Sequence, residues 1–265
     1  MRSLLSKRVY ADDLVVPRLE AVWYVEADDS YEINRRNHSL SGYVAVRTLS
    51  GRGRMTLHDG RTLLLEGNSI GVFEGPQIAR YSTDGQSWQF YWFEFRADKW
   101  HAPMMNEVCL LQSSKQERVE MERCFTSLNC GTAEACGVAE SLFGFFLADW
   151  QMRTQEQKQI KEKQNVLLLL EQGRREKISI PEMAKIAGMS ERSFRNTVRD
   201  TTGMSPKNYM IRGEMAAAME LLRTTDMTIA EIAACLDYAR PNYFSRAFKK
   251  YYGISPQIVR DEMQL

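Results

Sequence analysis

The chain has 265 residues and a formal net charge of +1, and 44% of its residues are hydrophobic and 26% charged. It is too apolar for a disordered chain, and its 16 glycines and 7 prolines are too few for a fibrous one. The longest aliphatic run, residues 166–170, is far too short to span a membrane, and the first thirty residues hold six acidic side chains. These features predict a cytoplasmic protein with no signal peptide and no membrane partner.

The first hundred residues predict short strands separated by turns. Residues 51–58 alternate, with Met55 and Leu57 on one face, and the dipeptide Asp59-Gly60 that follows is typical of a tight hairpin. Residues 61–66 are the predicted return strand. Residues 88–95 are apolar on both faces, which predicts a strand covered on both sides. This half is therefore predicted to be a small all-β barrel or jelly roll.

The pattern changes to helices near residue 103. Between residues 133 and 150 the apolar residues recur at helical spacing and form one wide stripe: Ala135, Val138, Ala139, Leu142, Phe146, Leu147 and Trp150. Packing onto the barrel is the first interpretation of this stripe, and a dimer interface is the second. The polar residues 153–163 predict a partly helical linker. The expected organisation is therefore a domain over 1–152, a linker over 153–163 and a second domain over 164–265.

The near-neutral charge of the whole chain conceals a difference between its two parts. Residues 1–160 hold 18 basic and 21 acidic side chains, whereas residues 161–265 hold 17 and 13. The positive second part indicates an anionic partner for that part alone.

The chain has five cysteines, which is an odd number, and no pair of them has C-x-x-C spacing. This pattern favours reduced thiols over disulfides or a zinc site.

An internal repeat lies in the C-terminal part of the chain. Residues 179–206 and 228–256 each begin with Ser or Thr and carry Glu three positions later, which is capping-box spacing. Each copy then has a turn, a phenylalanine and a Gly-x-Ser-Pro ending, where Gly203 and Gly253 suit a left-handed helix cap. Each copy therefore predicts two helices joined by a turn.

A helix–turn–helix places its second helix in the major groove of DNA. Arg can pair with guanine and Asn with adenine, while further Arg and Lys side chains suit phosphates. The predicted DNA contacts are Arg192, Arg195, Asn196 and Arg199 in the first copy, and Arg240, Asn242, Ser245, Arg246, Lys249 and Lys250 in the second. The alternative is a pair of ordinary helical hairpins with solvated charged faces, which the shared offset and shared endings disfavour.

Residues 164–265 resemble the double helix–turn–helix DNA-binding domain of the AraC/XylS transcriptional regulators. The residues that carry the resemblance are Ile229–Ala233, Tyr243–Lys250 and Gly253–Pro256, with Tyr209, Ala218, Leu221 and Leu222 in the joining helix. The resemblance implies a regulator that binds double-stranded DNA through two recognition helices in successive major-groove segments, with RNA polymerase as a further partner.

The chain departs from the pattern of this family at several positions. Asp237-Tyr238 replaces the usual Gly-Phe of the second turn, and Glu214 replaces the usual Arg of the joining helix. Asp tolerates positive φ, so the turn is expected to survive. Asn196 and Val198 also replace the usual Arg and Phe, and the first copy is therefore expected to be the weaker reader of DNA.

Residues 31–100 resemble the cupin-like sensor domain that is common in this family. The resemblance implies a small-molecule effector, such as a sugar, inside the barrel and a homodimer formed by the helices that follow. By analogy with the arabinose-sensing members, the candidate effector-binding residues are Arg36, Tyr81 and Trp92, with Glu94 on the same strand face as Trp92. Barrel core is the competing interpretation of Trp92, and a surface charge that of Arg36.

No metal, cofactor or catalytic activity is expected, because His38, His58 and His101 provide no His-x-His pair and a metal site needs about three protein ligands. The expected fold is α+β with two domains, a cupin-like β-barrel with following helices and an all-α domain with two helix–turn–helix motifs. The expected function is an effector-responsive regulator, an activator of carbohydrate or other catabolic genes. The alternatives are a regulator whose first half only dimerises without ligand, and a cupin enzyme fused to a DNA-binding domain.

Overall fold

The structure is a computed structural model that describes residues 17–35, 40–97 and 105–262. The chain divides into two compact units, which we call the first unit (Met1–Lys158) and the second unit (Gln159–Leu265). This division lies within the segment 153–163 that was predicted as a linker, and that segment is helical. None of the described helices is long and apolar enough to cross a membrane.

Seven strands of the first unit form one antiparallel sheet in the order β1-β6-β3-β5-β7, with β2 paired to β6 and β4 paired to β3. The strands are β1 (Arg18–Asp28), β2 (Glu32–Asn34), β3 (Tyr43–Leu57), β4 (Thr62–Glu66), β5 (Ser69–Glu74), β6 (Ile78–Arg96) and β7 (Glu107–Leu110). The predicted hairpin is confirmed: Gly60 has a φ of +87° between β3 and β4.

The two long strands, β3 and β6, pair with each other and with four of the other strands: β1 and β2 pair with β6, and β4 and β5 pair with β3. The first part of β3 pairs with β5 and its last part with β4, and the register slips between residues 48 and 53. Register slips of this kind bend a strand. Gly53 lies in this bend against the Trp88 indole, where a Cβ atom would come within 2.2 Å of the ring. The bend and the missing side chain allow residues of β1 to β6 to meet in one apolar cluster.

Strand β6 is covered on both faces, as its sequence predicted. Trp88, Phe90 and Trp92 belong to an apolar cluster that no residue of the described helices joins. On the opposite face, Phe93 and Phe95 belong to a second cluster that helices α1 (Lys115–Cys130) and α2 (Ala133–Glu176) cover.

Helix α2 packs its predicted apolar stripe onto the sheet, so the core interpretation of the stripe is confirmed for part of it. The buried residues are Ala139, Phe143, Phe146, Leu147 and Trp150. The buried face differs from the predicted stripe at one edge. It includes Phe143, which the prediction omitted, and it leaves Val138, which the prediction included, 36% exposed. The spacing of the buried residues is that of one face of a 3.6-residue helix.

A buried ion cluster joins β3 to both helices. The Arg47 Nε donates to Glu117 Oε1 at 2.7 Å, and the Trp150 indole Nε1 donates to the same oxygen at 2.9 Å. Arg153 Nη1 donates to the second carboxylate oxygen at 3.2 Å and to Asp149 at 2.9 Å. Arg47 is fully buried and the Glu117 side chain is 6% exposed. This cluster attaches the middle of α2 to the sheet through charge-assisted hydrogen bonds.

The second unit contains two helical pairs joined by a longer helix. The first pair is α3 (Ile180–Ile186) and α4 (Glu191–Thr202), the joining helix is α5 (Pro206–Thr224), and the second pair is α6 (Ile229–Cys235) and α7 (Pro241–Tyr252), followed by α8 (Pro256–Asp261). Each pair has its own apolar core, and the end of α2 contributes to the first one.

The helix boundaries follow the predicted capping residues. Thr228 and Glu231 form the complete capping box at the start of α6, whereas at α3 the Ser179 side chain accepts from the Glu182 N–H. Gly203 and Gly253 end α4 and α7 with φ angles of +72° and +80°. Ser205 and Ser255 then cap α5 and α8, each with proline in the first turn. The repeated Gly-x-Ser-Pro sequence is thus a helix stop followed by a helix start.

Candidate nucleic-acid interface and ligand pocket

Helix α4 presents a polar face because its apolar residues point into the first helical core. Phe194 and Val198 are fully buried. The four side chains predicted to contact DNA are all exposed: Arg192, Arg195, Asn196 and Arg199. Arg195 is not free, however, because its Nη2 lies 2.6 Å from Glu191 Oε1 one turn earlier. With Glu191 and Asp200 on the same helix, α4 offers only a weak positive field to an anionic partner.

Helix α7 offers a more strongly positive face. Phe244 and Phe248 are fully buried in the second helical core. Of the predicted contacts in this copy, Ser245 is half-buried, and the other five are exposed: Arg240, Asn242, Arg246, Lys249 and Lys250. The helix contains no acidic residue. The ion pairs among the described residues of the second unit, Arg174–Glu171, Lys177–Asp237 and Arg195–Glu191, all lie elsewhere.

Tyr243 is a surface residue of α7 that our list of predicted contacts omits. Its side chain is 53% exposed and it follows Asn242 in the first turn of the helix. An exposed apolar ring beside hydrogen-bonding side chains suits a thymine methyl group. The signal in the sequence was the position of Tyr243 around the helix. A tyrosine on the buried face would pack in the core, whereas Tyr243 lies on the exposed face beside Asn242 and Arg246.

The second turn keeps its geometry despite the two departures from the family pattern. Asp237 adopts a φ of +63°, which confirms that aspartate replaces glycine there. Its carboxylate lies 3.2 Å from Lys177 Nζ. The Tyr238 ring packs edge-on against Phe244, with centroids 5.5 Å apart. Burial first, and then the nearby Glu214 carboxylate, raise the pKa of Tyr238.

The first unit holds a pocket of about 190 Å³ between β1, β2 and β6, which we call the aromatic pocket. Three of the predicted effector-binding residues, Tyr81, Trp92 and Glu94, line it together. The fourth, Arg36, lies outside the described residues. The remaining wall residues are Trp23, Val25, Tyr31, Arg35 and Phe90.

Arg35 is the cation of the aromatic pocket, and our prediction did not include it. Its guanidinium carbon lies 5.5 Å from the Tyr81 ring centre and 5.6 Å from that of Trp92. Its Nη2 donates to the Tyr81 hydroxyl at 3.1 Å, while its buried Nε has no hydrogen-bond partner among the described residues. Leaving a buried donor without a partner is costly.

Glu94 provides an acceptor in the same pocket. Its Oε1 accepts from the Trp92 indole at 3.1 Å, which fixes the carboxylate beside the ring. Tyr31 is half-buried nearby, and burial raises the pKa of its hydroxyl to about 12, so it remains a neutral donor. Among the described residues no group of three or more His, Cys, Asp or Glu side chains is arranged to hold a metal ion.

Residues 183–262 match a family model described as a helix-turn-helix domain. The uncharacterized HTH-type transcriptional regulator YidL of Escherichia coli (strain K12) is 24% identical to this chain, and the match covers 91% of the chain and 84% of that protein. The HTH-type transcriptional activator RhaR of Pectobacterium carotovorum is 41% identical over 71 residues, which cover 27% of this chain and 25% of RhaR.

A similar solved structure is a transcriptional regulator from Chromobacterium violaceum described as having an AraC-type DNA-binding domain. It is 21% identical, covers 39% of this chain and 92% of that one, and has a TM-score of 0.36. The family model, over residues 183–262, covers the part of the chain that carries α4 and α7.

Proposed function

Because this chain carries at its C-terminal end a DNA-binding domain of the AraC family of transcriptional regulators, we propose that it reads specific DNA through α7, with α4 as a second and weaker reader. The observation that carries the proposal is the face of α7, on which four cationic side chains and Asn242 are exposed and no acidic side chain competes for them. Arg246 and Asn242 recognise bases, and Lys249 and Lys250 bind phosphates.

In this proposal the two helical pairs are helix–turn–helix motifs. Both second helices begin after a short turn, bury two apolar residues in their own core and expose the predicted contacts other than Ser245. The N-terminus of each helix faces the DNA, which also favours a phosphate there. The first motif contributes less because Arg195 is already paired with Glu191.

The aromatic pocket is the proposed effector site of a cupin-like sensor domain. Its walls are aromatic faces, Arg35 offers an unpartnered N–H, and Glu94 offers a carboxylate. A polyol such as a small sugar matches this set, because its C–H faces pack on aromatic rings and each hydroxyl both donates and accepts. A volume of about 190 Å³ equals that of about six water molecules, which suits an effector of monosaccharide size.

The proposed assembly is a homodimer formed through the outer face of α2. Val138, Phe145 and Met152 follow each other at intervals of seven residues and are 36%, 64% and 55% exposed. A seven-residue apolar repeat is typical of a seam between two helices. Such a row of exposed apolar side chains favours coverage by a partner, and a second copy would present the same row.

The ion cluster of Arg47 and Glu117 is the proposed connection between effector and helix. Val46 lies in the strand cluster that includes Trp92, and the next residue of β3, Arg47, bonds to Glu117 on the opposite face. Effector binding on one face of β3 and β6 therefore acts on the contacts that hold α2 on the other. An effect of this kind on affinity for DNA is a coupling free energy between two sites.

The proposed role in the cell is activation of carbohydrate or other catabolic genes with RNA polymerase as partner. The name of RhaR, a transcriptional activator, supports that direction of regulation.

Footprinting of the full chain on the DNA upstream of its own gene, with excess non-specific competitor, tests the proposed function. We expect protection of two neighbouring segments on one side of the duplex, about 10 base pairs apart from centre to centre. No protected segment, with or without a panel of sugars, would contradict the proposal.

A further inference from the structure

The aromatic pocket holds one cation and one anion that do not form an ion pair with each other. Arg35 and Glu94 both line the pocket, and both side chains are half-buried. Neither forms an ion pair with any of the described residues. The other six wall residues are uncharged: Trp23, Val25, Tyr31, Tyr81, Phe90 and Trp92. Each of the two charges therefore has room for a counter-charge that a ligand brings.

Uncharged partners hold both charges beside the same ring. The guanidinium carbon of Arg35 lies 5.6 Å from the centre of the Trp92 ring, and its Nη2 donates to the Tyr81 hydroxyl at 3.1 Å. Glu94 Oε1 accepts from the Trp92 indole Nε1 at 3.1 Å. A molecule that lies in the pocket against Trp92 therefore meets a guanidinium group and a carboxylate at two different places.

A ligand that fills the pocket displaces the water around these two charges. Burying a charge without a counter-charge is costly. A neutral sugar leaves both charges in that condition, and a ligand with a single charge leaves one of them. A ligand with one carboxylate and one ammonium group compensates both, and its net charge of zero matches the balance of Arg35 and Glu94.

Each charged side chain also suits its proposed counterpart in geometry. A guanidinium group binds a carboxylate through two parallel N–H donors, and the buried Nε of Arg35 has no hydrogen-bond partner among the described residues. An ammonium group next to Glu94 forms charge-assisted hydrogen bonds with the carboxylate, and the neighbouring aromatic faces attract cations. The aromatic walls also suit the C–H faces of a polyol.

We propose that the effector is a zwitterionic polyol of monosaccharide size, an amino sugar acid, whose carboxylate pairs with Arg35 and whose ammonium group pairs with Glu94. The pocket volume of about 190 Å³ suits a molecule of that size. This inference rests on the proposed effector site and narrows its occupant from polyols in general to polyols that carry both charges.

Calorimetric titration of the full chain with four open-chain, six-carbon polyols separates the two charges. Glucosaminate carries both charges, gluconate only the carboxylate, glucosaminitol only the ammonium group, and sorbitol neither. The galacto series supplies the same four charge types in a second configuration. We expect the zwitterion of one series to bind at least about tenfold more tightly than its three relatives, because a hydrogen bond to a charged group contributes about that factor or more.

Two variants assign each ligand charge to its counterpart. Glu94→Gln keeps the size of the side chain and should weaken binding of the zwitterion at least about tenfold, while gluconate, which loses no partner, binds at least as tightly as before. Arg35→Met should weaken binding of the zwitterion and of gluconate alike. Glu66→Gln on β4 is the matched control, because Glu66 is exposed and lies outside this pocket, and it should change neither affinity. Thermal unfolding of each variant without ligand checks the fold.

Sorbitol or gluconate that binds as tightly as the zwitterion would overturn the inference, and so would a zwitterion whose affinity survives Glu94→Gln. Absence of binding by all of these compounds would overturn it as well. Failure of the proposed effector site looks different, because no sugar of any charge would then raise the melting temperature of the wild-type chain.

Discussion

Glu117, on α1, accepts hydrogen bonds from three side chains on two other elements of the first unit. Arg47 comes from β3, and Trp150 and Arg153 come from α2. Removing one partner of a buried ion pair costs about 3–5 kcal/mol, because the other charge stays buried without compensation. Glu117 is therefore the residue on which the attachment of α2 to the sheet depends most.

We predict that Glu117→Gln lowers the free energy of unfolding by about 3 kcal/mol, since Gln leaves the buried Arg47 charge unpaired. Urea titration followed by circular dichroism measures this change. Glu107→Gln is the matched control, because the Lys158–Glu107 pair is exposed, and it should cost less than about 1 kcal/mol. Equal effects of the two substitutions would show that the buried cluster contributes no more to stability than the exposed pair does.

The same carboxylate predicts a pH dependence of stability. Burial alone would raise the pKa of Glu117, but the hydrogen bond and charge of Arg47, together with Trp150 and Arg153, hold its pKa below the ordinary 4.5. A pKa lowered by folding stabilises the folded state above the unfolded-state value, and this stability is lost as the pH falls through the folded value. The difference in unfolding free energy between wild type and Glu117→Gln should be constant near neutral pH and shrink below pH 4.5.

Lys250 is predicted to bind a phosphate and carry no sequence information. We expect Lys250→Ala to weaken binding to every DNA sequence alike and to reduce the slope of log K against log salt by about 1. Fluorescence anisotropy at four salt concentrations measures the slope. Lys185→Ala, a change of an exposed lysine on α3, should leave it unchanged. A variant at position 250 that altered sequence preference at constant slope would assign Lys250 to base recognition instead.

At the scale of elements, helix α2 has one face in the core and another that is apolar and exposed. The inner face includes Phe146 and Trp150, and the outer face carries Phe145. Because residues 145 and 146 are adjacent, they point about 100° apart around the helix, so they lie on different faces. Core packing is observed, and the dimer seam is the proposal.

We predict that Phe145→Lys converts the dimer to a monomer without unfolding it, because the charge disrupts the seam and not the core. Sedimentation equilibrium measures the association, and circular dichroism reports the fold. The control is Val119→Lys on α1, which replaces a side chain that is 57% exposed and lies off the seam. A dimer that survives Phe145→Lys would place the interface on another surface.

The helices of the second unit were predictable in detail because their signals are local. Capping Ser and Thr side chains, Gly203 and Gly253 at positive φ, and Pro after Ser each act within one turn of the chain. Phe244 and Phe248 follow helical spacing and are buried accordingly. Helix ends and faces of this kind are decided by neighbours in sequence.

The aromatic pocket was predictable only in part because its geometry depends on distant segments. Trp92 and Glu94 are two residues apart and share one face of β6, so their meeting could be read from the strand. Tyr81 is an odd number of residues away and reaches the same pocket where the register between β6 and β3 shifts. Arg35 follows the end of β2 at Asn34, where strand alternation no longer decides the side-chain direction. Its backbone N–H instead donates to the Ala79 carbonyl of β6, at 3.0 Å. Likewise, nothing local marks Arg47 as the buried partner of Glu117, 70 residues further along the chain.

For the molecule as a whole, the proposal requires that effector binding be measurable without DNA. We predict that a sugar which binds the aromatic pocket raises the melting temperature of the full chain, with a stabilisation of about 2.7 kcal/mol at a concentration 100 times its Kd. Arg35→Met should abolish the shift, because it removes the unpartnered donor. Arg61→Met, at an exposed surface pair, is the control.

No shift across a broad panel of sugars and sugar acids would favour a regulator whose first unit only dimerises. A shift that persists in Arg35→Met would place the effector outside the aromatic pocket.

The central claim is that this chain recognises specific DNA through α7, and one comparison tests it most directly. Anisotropy is measured for wild type and Arg246→Ala on the upstream DNA segment and on a scrambled duplex of equal length. The account predicts that wild type prefers the specific duplex by about a thousandfold or more. Arg246→Ala should lose about 1–3 kcal/mol of that preference while its affinity for the scrambled duplex changes little. Equal affinity of the wild-type chain for both duplexes, with candidate effectors present, would contradict the claim.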